Sequence, residues 1–466
     1  MVTGLKTLDE VRQAVAVLAT GNPDALDRLV WAGVFGPAGV KDAARHGVLD
    51  QCRSVGIYPA SIHALYMARG RGEAPATFTV PAINIRGLAY DTARALFRTR
   101  KRLDAGAVIC EIARSEISYT DQRPAEYTFV VLAAALREGW TGPVFIQGDH
   151  FQINAKKYAS GADAETRAVL ELTAEALRSG FHNIDVDTST LVDLSKPTHA
   201  EQQALNGRLC AEITAFIRKH EPAGVTVSVG GEIGEVGGKN STAEELNAFV
   251  SVYTAQLAKL APGKPGMSKI SIQTGTSHGG VPLPDGTVAK VKLDLDTLQA
   301  LSKLSREKYG FAGAVQHGAS TLPSELFGEF AKRGACEIHL ATEFQNMLFD
   351  HPVFPADLKR AMYDQLRTSE AADRKPTDTD EQFFYKVRKK ALGAHKQELW
   401  SLPPDVRGAI GAALEERFTF LLTQLKVQGT RTLAAQHAPF VPGSFPTFAE
   451  TLGASKGRED VSGLSD

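Results

Sequence analysis

Residues 144–150 read VFIQGDH: four residues that favour a buried strand, then a glycine, an acid and a histidine. An apolar run of this length, closed by a turn residue and polar groups, is the pattern of a strand buried on both faces in a parallel sheet. The same design recurs on either side. FTVPAINI (78–85) and AVICEI (107–112) precede it, and NIDVD (183–187), VTVSVG (225–230), KISIQT (269–274), AVQHG (314–318) and EIHLA (337–341) follow. Between the runs lie helical patterns such as 90–103, 125–139, 164–180 and 202–220. Strands alternating with helices predict βα units, and eight such units predict an α/β fold of the TIM (β/α)8 barrel type. The barrel is expected over 75–350.

The flanks read differently. Residues 1–74 hold the helical patterns 8–18, 23–33, 40–56 and 61–70, so an N-terminal helical extension is expected. Its role is open among a cap on the barrel's base, a subunit interface and a cover over the site. Residues 351–455 read as a C-terminal helical arm, clearest at 376–400 and 404–427. The polar end, 456–466, reads as disordered.

With 52 Lys+Arg against 53 Asp+Glu, the formal net charge is −1, so neither nucleic acid nor an anionic membrane surface is an expected partner. No run of about 18 apolar residues is present to cross a bilayer, and residues 1–29 lack the basic and apolar regions of a signal peptide. Cys52, Cys110, Cys210 and Cys336 form no CxxC pair; buried, reduced thiols in a cytoplasmic protein are expected.

In this fold the chemistry sits where strands end. The predicted strand ends carry Asp149 and His150, Glu232, His278 and His317. Three imidazoles and a carboxylate reaching one face from separate strands suit a divalent metal, zinc by donor chemistry, with cobalt or iron compatible. Gly230, Gly231, Gly234, Gly237 and Gly238, and the glycines after both later histidines, expose backbone N–H groups of the kind that cradle phosphate. Such loops are equally ordinary turns, and 235–243 suits a mobile lid. His182, His199, His220, His351 and His395 have weaker claims.

The ordered combination GDH (148–150), GEIGEVGG (231–238), TSHGG (276–280) and QHGAS (316–320) resembles the class II fructose-bisphosphate aldolases over about 78–348. The resemblance implies a lyase of carbohydrate metabolism that reversibly cleaves a ketose bisphosphate through a zinc-stabilised enediolate. It implies His150, His278 and His317 as zinc ligands, Glu232 as a further metal-supporting carboxylate, and Asp149 as the acid/base at the substrate's C4 hydroxyl. Asn84, Gly279, Gly318, Ser320 and Thr342 match substrate- and phosphate-binding positions. Asp185 matches an aspartate near the family's ion sites, where a monovalent cation can accompany zinc. FFYKVRKK (383–390) matches a segment whose arginine, here Arg388, reaches a partner subunit's phosphate site; the other reading is a basic helix face. A homo-oligomer follows from the first reading.

Departures concern substrate contacts. The family's NIDTD on the last strand is HLATE (339–343) here, with His339 and Ala341 at the positions of the asparagine and first aspartate that contact substrate. Pro282 stands where a lysine is common, and an insertion at 281–294 offers Lys290 or Lys292 instead; Lys239 and Asn240 replace loop acids. Three alternatives follow: an aldolase for tagatose bisphosphate or another ketose phosphate, a metal-dependent barrel hydrolase, and a non-catalytic metal-binding barrel. The hydrolase is disfavoured because 78–85 lacks an HxH pair.

Overall fold

The computed structural model describes residues 4–234, 239–276, 283, 293–446, 459, 461 and 463–465. Among the described residues there are nine strands: β1 (Ile57–Ala60), β2 (Val80–Asn84), β3 (Ile109–Ala113), β4 (Gly142–Gln152), β5 (Asn183–Asp187), β6 (Ser228–Glu232), β7 (Lys269–Ile272), β8 (Ala314–Gln316) and β9 (Glu337–Leu340). All eight apolar runs of the sequence are strands. β2 through β9 pair in parallel in chain order, and β2 with β9 closes the ring, which makes the eight-stranded barrel. Every residue of β2, β3 and β5–β9 is buried, as strands covered by helices outside and packed side chains inside must be.

The N-terminal extension is helical as expected, and it also holds a strand that the sequence did not suggest. Its helices Leu8–Leu18, Pro23–Phe35, Ala38–Ser54 and His63–Gly70 are joined by a ninth strand, β1. Four residues, one a proline, give too short a pattern to show as a strand. β1 pairs with the first part of β4, Gly142 to Phe145, and β5 takes over that edge from Gln147. Asn183 bridges the handover: its side chain accepts from the Ile62 N–H and donates to the carbonyls of Ala60 and Ile146.

Of the three roles open for the extension, its last part takes the base of the barrel. Arg69, 2% exposed, donates to the carbonyls of Phe78, Ala312, Gly334 and Ala335, all just before strands begin. Tyr66, on the same helix, reaches up to the Glu337 carboxylate inside the barrel. Gly70 permits this docking, since a Cβ there would lie 2.0 Å from the Gly310 carbonyl oxygen, a backbone atom that cannot swing away. Gly70→Ala is therefore expected to lower unfolding free energy by about 1–3 kcal/mol, read as a shifted urea midpoint. An unchanged midpoint would mean that the helix is not seated on the base.

The C-terminal helix Pro404–Gln424 lies along Ala89–Arg102, tied by ion pairs of Arg98 with Glu415 and Arg407 with Asp91. All four cysteines are buried outside any disulfide. No helix among the described residues is long and apolar enough to cross a membrane. Within the stretch expected to be disordered, Glu459 bonds Arg114 and Ser465 bonds Gln152.

Candidate metal centre

His150 is placed by an irregularity in β4. The pairing of β4 with β5 slips between Gly148 and Phe151, and within that bulge His150 has φ 37°, a conformation that side-chain-bearing residues rarely adopt. The bulge breaks the strand's alternation, so both neighbours, Asp149 and His150, serve the same buried cluster. His150 Nδ1 lies 2.9 Å from Asp187 Oδ2 at the end of β5 and 3.4 Å from Glu232 Oε2 at the end of β6. The His150 and His317 rings lie 4.3 Å apart, and the His317 and His339 rings 4.0 Å apart.

His150, Glu232 and His317 each offer one ligand atom within 4.8 Å of the others, all buried. Two imidazole nitrogens and a carboxylate oxygen are the donor set of an open catalytic zinc site, so these residues fit a divalent cation. A second trio, Asp149, His317 and His339, meets the same distance test beside it. His278 and Gly279, like Lys290, Lys292 and Pro282, lie outside the described residues.

Asp149 is held from both sides. Its Oδ2 accepts from Asn84 Nδ2 at 2.9 Å, and its Oδ1 lies 3.1 Å from His339 Nδ1. Burial raises its carboxyl pKa, but His150 and His339 outweigh burial and hold it well below the usual range. The reciprocal effect appears on His150: burial lowers its pKa, yet Asp149, Asp187 and Glu232 together raise it to about 10. Glu232 moves the other way, raised by burial and by the charge of Asp187.

Below this layer lies a network that sequence reading missed. Lys269, 0% exposed, donates to Gln147 Oε1 at 2.8 Å and pairs with Asp185 at 2.8 Å and with Glu337. Glu337 also meets His339 Nε2 at 2.7 Å, and Glu111 lies 3.2 Å from His339 Nδ1. Burial and the Asp149 charge raise Glu111 to about 8, whereas Lys269 and His339 overcome burial and pull Glu337 down to about 2. His339, noted in the sequence only as a departure, therefore stands at the junction of both layers. The available signal was a charged residue inside each of three apolar runs: Glu111, Lys269 and Glu337.

The other assignments divide. Asn84 joins the cluster. Asp185 pairs with Lys269, and its chain neighbour Asp187 is the aspartate that touches His150. Gly230 lies within β6, where a Cβ would come 2.3 Å from Asp185 Oδ1, so it makes room for the interior network. Gly318 has φ 66° in the turn after β8. Ser320 Oγ accepts from the Ala341 N–H at 2.8 Å, and Thr342 opens the helix Thr342–Phe349 after β9. Arg86, unremarked in the sequence, is a buried cation beside them: it bonds Glu116 and Gln345 and lies 3.5 Å from Thr342 Oγ1. Arg388 is 5% exposed and doubly bonded to Asp350 within its own chain, so it is not part of an exposed basic face.

Solved structures similar to this chain are distant in sequence. A probable tagatose 6 phosphate kinase from Sinorhizobium meliloti 1021 is 17% identical, with 76% of this chain and 100% of that one covered and a TM-score of 0.52. The fructose-bisphosphate aldolase of Campylobacter jejuni is 17% identical over 80% of this chain and 97% of that one, with a TM-score of 0.48. The YdjI aldolase of Escherichia coli K12 is 13% identical over 79% and 98%, with a TM-score of 0.47. The family model for fructose-bisphosphate aldolase class II matches residues 74–396, a span that contains the whole barrel and every residue of the cluster, and the chain belongs to that family.

Proposed function

We propose that the protein is a zinc-dependent aldolase that reversibly cleaves fructose 1,6-bisphosphate into dihydroxyacetone phosphate and glyceraldehyde 3-phosphate. The observation that carries this reading is the meeting of His150, Glu232 and His317 within 4.8 Å, with Asp149 against them. His150, His317 and, from outside the described residues, His278 would hold the cation, with Glu232 in support. A divalent cation there would polarise the substrate's carbonyl and stabilise the negative charge left when the carbon–carbon bond breaks.

The chain's own groups do the rest. Asp149 takes the C4 hydroxyl proton, the C4 oxygen becomes a carbonyl, and the electron pair of the C3–C4 bond stays with C3. In condensation Asp149 returns the proton. A carboxylate fixed at both oxygens by Asn84 and His339 has little freedom to turn away, which suits a proton carrier that must meet one atom. At the far end, the Thr342 helix start with Arg86, Gly318 and Ser320 supplies donors suited to a phosphate, and binding there orients the reacting carbons. A homo-oligomer belongs to the same reading, and Arg388 acting in trans would have to exchange its bonds to Asp350 for the partner's phosphate site.

One observation favours a second substrate. Ala341 offers no polar side chain where the family's aspartate contacts substrate, its N–H is taken by Ser320, and His339 is bound to interior carboxylates. Tagatose 1,6-bisphosphate, the C4 epimer, or a ketose monophosphate would then be preferred. Zinc-loaded protein assayed for triose phosphate release on fructose 1,6-bisphosphate, its C4 epimer and fructose 1-phosphate separates these. Release from the first at the highest kcat/KM, abolished by a chelator and restored by zinc, is the expected result. No triose phosphate from any of the three would overturn the aldolase reading.

A further inference from the structure

Glu459 and Ser465 both lie against residues at the barrel mouth. Glu459 pairs with Arg114, a guanidinium 1% exposed that also bonds Glu165 and the Gln152 carbonyl, and the Glu459 carbonyl accepts from Ser118 Oγ at 2.9 Å. Ser465 is held three ways. Its carbonyl accepts from Ser115 Oγ at 2.9 Å, its N–H donates to Gln152 Oε1 at 2.8 Å, and its Oγ accepts from Gln152 Nε2 at 2.9 Å.

Gln152 is the last residue of β4, two positions beyond His150, and is 1% exposed. Its Nε2 donates also to Asp187 Oδ2, the oxygen that faces His150 Nδ1 at 2.9 Å. The other Asp187 oxygen is taken by the Ser189 N–H and hydroxyl. A backbone N–H can only donate, so Ser465 fixes which end of the Gln152 amide is oxygen and turns the Nε2 end toward Asp187. Asp187, so held, keeps the proton on His150 Nδ1 and leaves Nε2 as the nitrogen offered to the site. His150 needs such support, because its backbone sits at φ 37° and does not favour that pose unaided.

We propose that Ser465 is a supporting part of the metal centre, acting through Gln152 and Asp187 to hold His150 in its metal-binding orientation. This rests on the reading of His150 as a ligand. Ser465 is a positioning residue and touches neither metal nor substrate.

The test is zinc affinity, measured by chelator competition on the full-length protein. Ser465→Pro removes both the N–H and the hydroxyl, and is expected to weaken zinc binding about 10-fold, the lower end of what loss of an outer partner of a metal ligand costs. Ser465→Ala keeps the N–H and is expected to lose less. Deletion of 459–466 is expected to match or exceed Ser465→Pro. The melting temperature of the metal-free Ser465 variants should not change, whereas a purely structural role would lower it and leave zinc affinity alone. Parental zinc affinity in both Ser465→Pro and the deletion overturns the proposal. His150→Ala separates the two layers: if it too binds zinc as the parent does, the ligand assignment has failed, and if it loses zinc while the Ser465 variants keep it, only the tail's role has failed.

Discussion

His317→Ala is expected to emerge from purification without stoichiometric metal and without aldol cleavage. His317 is 3% exposed and belongs to two candidate trios, with His150 and Glu232 on one side and Asp149 and His339 on the other. Its removal takes a donor from each, which should cost more than the roughly 10–100-fold that loss of a supporting residue costs in metal affinity. A proton count gives an independent check. Without metal, the surrounding carboxylates raise His150 to about 10, so at neutral pH its imidazole carries a proton that an incoming cation must displace. The sign follows: a raised pKa means that protons compete harder as pH falls, so zinc affinity should drop on acidification and zinc uptake should release protons into a weak buffer. His317→Ala should release few or none on zinc addition. A variant that retains one zinc per chain, with parental proton release, would remove His317 from the centre.

The barrel was legible because parallel strands buried on both faces must be apolar runs, and because βα alternation permits few closures. The convergence of His150, Glu232 and His317 was legible for a related reason: parallel strands all end on one face. Other features depend on facts that no short window contains. Whether His339 faces the site or the interior is decided by β9 closing against β2, more than 250 residues away in the chain. Glu337 and His339 share a strand face by their two-residue spacing, and with Lys269 and Glu111 they were readable as charges inside apolar runs, but their partners were not. The slip in β4 that turns His150 beside Asp149 has no local sequence mark beyond Gly148. The tail's docking rests on contacts between Ser465 and Gln152 across 313 residues, made by a segment whose own composition reads as disorder.

Asp149→Asn is expected to lower kcat by about 10²–10⁴-fold, the range for loss of a positioned general acid/base, with KM changed far less. The substitution keeps the shape of the side chain and removes the charge and the basic oxygen. What makes the test sharp is the direction of the electrostatics around it. Asp149 is the foremost charge among those raising the His150 pKa. Without it the His150 proton is held less tightly, which offsets part of the attraction that the cation loses, so at saturating zinc the variant should still carry one zinc per chain. Lost turnover then cannot be ascribed to lost metal. His339 loses one of the two carboxyl groups opposite its Nδ1 but keeps Glu111 there and Glu337 at Nε2, so the interior network should hold its place. Zinc content, metal-free melting temperature and cleavage rate measured on one preparation decide the matter. A zinc-loaded Asp149→Asn enzyme that cleaves at the parental rate would transfer the proton to some other group, and a variant that lost zinc along with activity would make Asp149 part of the metal's hold instead of the substrate's proton path.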